Sequence, residues 1–98
     1  MEIIEPDEDA RREWRAWMAE RPSAVRAVAE RFNPWTLYRL RQTGQIVAVS
    51  SYFEDGTISV DVFAEFNPLA MWDTNVFGID PDDLEPCSAE YLAARRKH

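Results

Sequence analysis

Between Gln42 and Ala94 the chain has neither Lys nor Arg, although ten carboxylates fall inside that stretch. They are Glu54, Asp55, Asp61, Glu65, Asp73, Asp80, Asp82, Asp83, Glu85 and Glu90. Residues 1–41 are balanced, eight acids against eight arginines, so the formal net charge of −7 belongs to the second half. A surface of that sign repels phosphate and suits a basic or apolar partner. Other absences narrow the chemistry. Cys87 is the single cysteine, which excludes an intrachain disulfide and points to a reducing compartment. The single histidine is His98, the last residue, so zinc lacks its usual N and S ligands and Ser50 and Ser51 lack an imidazole base. Only three glycines are present, Gly44, Gly56 and Gly78, and they form neither a GxGxxG nor a Walker loop. No apolar run approaches the roughly 18–20 residues of a membrane span. Met1 to Asp9 is acidic, the wrong sign for a signal or transit peptide, so a cytoplasmic protein of a bacterium or phage is expected.

What is present is enough for a core: 46% apolar residues and a high share of tryptophan, with Trp14, Trp17, Trp35 and Trp72. The pattern predicts one α+β domain over 1–98, with a helical hairpin at 7–32, an antiparallel barrel or curled sheet at 36–87, and a short helix or tail at 88–98. Asp7 is placed to cap a helix over 7–20, whose Ala10, Trp14, Trp17 and Met18 share one face. Pro22 breaks it, and a second helix carries Val25, Val28, Ala29 and Phe32 to Asn33-Pro34.

Strands follow at Thr36–Arg41, Ile46–Phe53 and from Thr57 to Ala64. Asp55-Gly56 reads as a two-residue type I′ hairpin turn. That turn pairs Phe53 with Ile58, Ser51 with Val60 and Val49 with Val62. One face then collects Val47, Val49, Phe53, Ile58, Val60 and Val62. The other holds Ala48, Tyr52 and Phe63, a patch that the Trp14/Trp17 helix would cover. Phe66-Asn67-Pro68 repeats Phe32-Asn33-Pro34, and its Asn is expected to cap a short helix over Pro68–Asp73 presenting Leu69, Met71 and Trp72. A strand at Asn75–Ile79, a turn at Asp80–Asp83, a strand at Leu84–Cys87 and a helix capped by Ser88 complete the reading.

The succession strand, Thr43-Gly44, strand, Glu54-Asp55-Gly56-Thr57, strand, closing on VFGIDPDDLEP, resembles the small SH3-like barrels of the KOW and Tudor type over residues 37–86. The resemblance implies short antiparallel strands with a 3-10 turn before the last one. KOW-type domains that bind RNA carry basic residues, which this region lacks. Tudor-type domains read methylated side chains through an aromatic cage, a cation–π device for which Tyr52, Phe53, Phe63, Phe66, Trp72 and Phe77 are the available aromatics.

Function divides into three readings. The first is a non-enzymatic protein-binding module without cofactor or metal, docking a protein of basic or apolar surface through Trp72, Tyr52, Phe63, Asp61, Asp82 and Asp83. The second is a phage- or plasmid-type inhibitor acting as an acidic nucleic-acid mimic. The third is nucleic-acid binding through Arg39, Arg41 and the Arg95–Lys97 tail, which the field of the acidic half opposes. Neither nucleic acid nor a membrane is the expected partner of the first reading.

Overall fold

The computed structural model describes residues 6–96; the Lys97 and His98 of the sequence reading lie outside them. Asp7 caps α1 (Glu8–Ala19), its carboxylate accepting from the Ala10 N–H at 2.9 Å, with Glu8 and Asp9 in the first turn where the helix dipole favours them. Arg12 pairs with Asp9 at 3.3 Å, Arg15 with Glu8 at 3.6 Å, and Arg11 lies over the Trp35 ring. The arginines of this helix are therefore matched locally. Pro22 stands at the N-cap of α2 (Ser23–Arg31), which buries Val25 and Ala29 and delivers Phe32 to the core.

Five strands form one antiparallel sheet: β1 (Tyr38–Leu40), β2 (Ile46–Tyr52), β3 (Ile58–Val62), β4 (Thr74–Ile79) and β5 (Leu84–Pro86), in the order β4-β3-β2-β1-β5. Strand alternation sends its side chains to two cores. Val47, Val49, Ile58, Val60 and Val62 join Tyr38, Leu40, Leu84 and Phe32 on the α2 side. Ile46, Ala48, Phe63 and Phe66 face the other way, onto Leu37, Cys87 and the Tyr91 and Leu92 of α3 (Ala89–Arg95). Ile58 is wholly buried, so truncation to Ala would cost about 2–5 kcal/mol.

The β2–β3 turn differs from the two-residue reading. A type I′ turn needs positive φ at both central residues. Here Asp55 has none and only Gly56 does, at 88°. The loop has three residues, Glu54-Asp55-Gly56, closed by Gly56 N–H to Phe53 O and Phe53 N–H to Thr57 O. The Asp55 carboxylate accepts from both the Thr57 N–H and hydroxyl, which holds it below its ordinary pKa. Register therefore slips by one, and Tyr52 stands opposite Ile58. A bulge between Val49 and Ser51 slips it once more, so Val49 meets Val60 and Val47 meets Val62. Two slips restore the parity of the valine face and exchange Phe53 for Tyr52 on it. Trp14 and Trp17, stacked at 5.0 Å, accordingly cover Tyr52 on the valine side, while α3 covers Ala48 and Phe63.

The sheet is open rather than closed into a barrel. β1 and β5 pair over only three residues, too few to carry the ladder round to β4. Bulges in β2 and β4 still curl it, and Val76 and Ile79 of β4 fold onto the valine core. A cavity of about 190 Å³, lined by Leu40, Val76, Ile79 and Asp83 among others, occupies the space between these elements.

Candidate interaction surface

The repeated Phe-Asn-Pro triplets behave differently. Asn33 Oδ1 accepts from the Trp35 and Thr36 N–H groups and turns the chain into β1. Asn67 is instead buried and reaches across the sheet: its Oδ1 accepts from Ile46 N–H at 3.3 Å, and its Nδ2 donates to Phe63 O at 2.7 Å and Ile46 O at 3.4 Å. With that amide committed to the sheet, it caps no helix, and the helix expected over Pro68–Asp73 is an irregular loop. A 3-10 turn at Ala64–Phe66 leads into it. Its neck is closed by the Asp73 carboxylate, which accepts from the Ala64 N–H at 2.9 Å.

The pinned loop projects its apolar residues outward. Leu69 is 99% exposed, Met71 80% and Trp72 69%. A soluble surface rarely groups large apolar side chains in this way without a use for them. Phe77 on β4 is also 69% exposed and lies 6.2 Å from Phe53. It stands five residues beyond Trp72, roughly 17 Å along an extended strand, and forms a separate apolar point. β4 is a sheet edge whose six residues, Thr74 to Ile79, carry no charge. It lacks the charged or proline guards common on such edges and is protected only by its Gly78 bulge.

The six residues named from sequence are not brought together. Trp72 lies in the exposed loop. Tyr52 is half-buried under Trp14 and Trp17, and its hydroxyl donates to Phe32 O, so burial pushes its phenol well above the ordinary value. Phe63 is core, covered from the α3 side. Asp61 accepts from Asn75 Nδ2 at 2.7 Å on the outer sheet face. Asp82 pairs with Arg31 at 3.3 Å, and the backbone carbonyl of Asp83 accepts from Arg41 N–H. Phe63 in particular is unavailable to a partner, because the two-slip register and α3 enclose it. Alternation alone placed it on a face without showing which helix covers that face.

Of the arginines of the nucleic-acid reading, Arg39 and Arg41 are engaged by Glu85, while Arg95 and Arg96 lie over the Tyr91 and Phe66 rings at 5.8 and 5.2 Å. Glu85 accepts from Arg39 through Nε at 3.0 Å and through Nη2, and lies 3.3 Å from Arg41 Nε. The Arg39 bond holds the Glu85 carboxyl below its ordinary pKa. Burial raises the Cys87 thiol, the direction opposite to an activated nucleophile. Among the described residues no group of three His, Cys, Asp or Glu could hold a metal ion, and no helix is long and apolar enough to cross a membrane.

Asn67, read from the sequence as a helix cap, Asp73, read as the end of that helix, and Arg95, read as part of a nucleic-acid-binding tail, take other roles in the geometry. Asn67 and Asp73 fix the loop, and Arg95 of α3 lines a cavity of about 510 Å³ beside it. The sequence signal at this place, Asn67-Pro68 followed by Leu69 and Trp72 at i, i+3, favours a capped helix rather than the loop. No family model matches the chain, and neither a curated protein nor a solved structure matches it.

Proposed function

We propose that the chain is a non-enzymatic protein-binding module whose contact surface is the loop bearing Leu69, Met71 and Trp72. The observation that carries this reading is the exposure of those three side chains on a loop tied at both neck and base. A rigid apolar projection loses little entropy on docking, and tryptophan is a favoured hot-spot residue. The partner offers an apolar recess with basic groups at its rim, because Glu65 and Asp73 flank the projection and the whole stretch 42–94 lacks a cation.

In architectural detail we place the domain near the SH3-like barrels, as an open variant. The order β4-β3-β2-β1-β5 and the 3-10 turn Pro81–Asp83 before β5 support this. The mimic reading has less support, since Asp61, Asp73, Asp82 and Glu85 are held by neighbours in different parts of the surface.

The test is comparative affinity capture from native lysate with the wild type and the triple variant L69S/M71S/W72S. A partner retained by the wild type and lost by the folded variant supports the reading. Equal capture by both proteins, or none by either, rejects it.

A further inference from the structure

β4 ends the sheet on one side, so one flank of its backbone N–H and C=O groups has no partner strand. Its six residues, about 20 Å of extended chain, bear no charge. A Cβ at Gly78 would meet no atom within 4 Å, so the bulge there twists this edge without covering it.

Beside the edge lies the cavity of about 190 Å³. Val76 and Ile79 of β4 and Leu40 of β1 give it an apolar lining, with Gln42, Gln45 and Asp83 among its polar wall. No residue of β2 or β3 lines it, which places it in the seam that the open sheet leaves between β4 and β1. At that size it holds one side chain rather than a whole small molecule, whose sites run to roughly 300–1,000 Å³.

Charge marks both ends of the strand. Asp73 stands before it and Asp80 after it, both exposed. Each is held in place through Oδ1, Asp73 by the Ala64 N–H and Asp80 by the Asp82 N–H, at 2.9 Å. Among the described residues no arginine pairs with either; Arg31 pairs with Asp82 instead.

We propose that the β4 edge takes an extended segment of a partner protein as a sixth strand, with lysine or arginine at its two ends and one apolar side chain in the cavity. Main-chain hydrogen bonds along an edge give such pairing its affinity, and a pocket for an alternate side chain gives it selectivity. The cations of the segment meet Asp73 and Asp80, while the neutral strand between them sets no charge against its middle. A second copy of this chain is disfavoured, because it brings the same acidic ends and a net charge of −7. The edge is separate from the loop bearing Leu69, Met71 and Trp72, and the proposal holds whether or not that loop docks.

The test is a titration of the ¹⁵N-labelled full chain with the blocked peptide Lys-Thr-Leu-Thr-Val-Thr-Lys. Parallel probes are the same peptide with Glu at both ends, and one with Pro-Pro for the central Thr-Val, which removes a ladder donor on either flank. The lysine peptide should give saturable shifts at the Val76, Phe77 and Ile79 amides and slow their hydrogen exchange. Both altered peptides should bind at least about ten-fold more weakly, and added salt should weaken the lysine peptide. Gln42→Trp, at an exposed position on the cavity wall, and Thr74→Lys, which sets a guarding charge on the edge, should each lower affinity at least about ten-fold. Either variant serves if the other fails to fold. L69S/M71S/W72S should bind the peptide as the wild type does; loss of binding there would place the peptide on the loop and overturn the proposal. So would the absence of saturable shifts, equal binding of the Glu-ended peptide, or unchanged affinity in the folded edge and cavity variants. Shifts in β4 that follow protein concentration alone would give the edge to a second copy and overturn it too.

Discussion

Tyr91 and Gly44 are 47 residues apart in sequence, yet the Tyr91 hydroxyl donates to the Gly44 carbonyl at 2.6 Å. This bond fastens α3 to the turn between β1 and β2. Tyr91→Phe removes it while keeping the ring on the second core, so a loss of about 0.5–1.5 kcal/mol is expected in chemical denaturation. Gly44→Ala should cost more. Gly44 sits at φ 73°, which disfavours a side chain, and its new Cβ would meet Tyr91 Oη at 3.0 Å. Loss of hydrogen-exchange protection in α3 before the sheet would confirm that the bond acts there; a destabilisation spread evenly over the sheet would contradict it.

Glu85 sets an acid limit. Its folded pKa lies below the ordinary value of 4.5, chiefly through the Arg39 hydrogen bond. A depressed carboxyl stabilises the fold above the unfolded pKa and loses that contribution as pH falls through the folded value. Stability of the wild type should therefore decline below about pH 4.5, and Glu85→Gln should flatten that decline at the cost of lower stability at neutral pH. Denaturant midpoints between pH 3 and 7 measure both (pH values on the order of the carboxyl range); parallel acid slopes for the two proteins would refute the assignment.

Tyr52 sets an alkaline limit of opposite sign. Burial raises its phenol, as it raises that of Tyr38, above the ordinary 10.0. A raised tyrosine stabilises fully below the unfolded pKa and loses the contribution as pH climbs through the folded value. Unfolding should therefore begin above about pH 10. Tyr52→Phe should blunt that transition and, by leaving Phe32 O without its donor, lose about 1 kcal/mol at neutral pH. Far-ultraviolet circular dichroism against pH reads the first effect and urea denaturation the second.

Asn67 and Leu69 separate support from contact. Asn67→Ala strips Ile46 N–H and Phe63 O of a buried partner, an expected loss of about 1–3 kcal/mol. Leu69→Ser, at a fully exposed position, should stay within about 0.5 kcal/mol of wild type. Thermal melts of the two variants check the ordering; comparable losses would mean that the loop is held by its apolar residues.

The valine face and the caps of α1 and α3 could be read from sequence, because alternation and an Asp or Ser before a helical stripe are local signals. Register was not. Glu54-Asp55-Gly56 fits both a two- and a three-residue turn, and only the backbone angle of Asp55 decides between them. The bulge at Ser50, where Ser50 and Ser59 hydroxyls bond at 2.6 Å, answers to packing on both faces at once. Likewise Asn67 has the local signature of a cap, but two long-range hydrogen bonds to Ile46 and a local one to Phe63 outweigh it. Trp72 was legible as a surface candidate; Phe63 was misplaced because the helix that covers it, Ala89–Arg95, is remote in sequence and gives no local signal of which face it covers.

The central claim, that the Leu69–Trp72 loop is the docking surface, is tested most directly by placing a photo-crosslinking residue at position 72 and, as a control, at Arg12 on exposed α1. After irradiation in native lysate, position 72 should give a discrete protein adduct that excess unlabelled wild type removes, and position 12 should not. Adducts of equal pattern at both positions, or none at 72 that wild type displaces, would contradict the account.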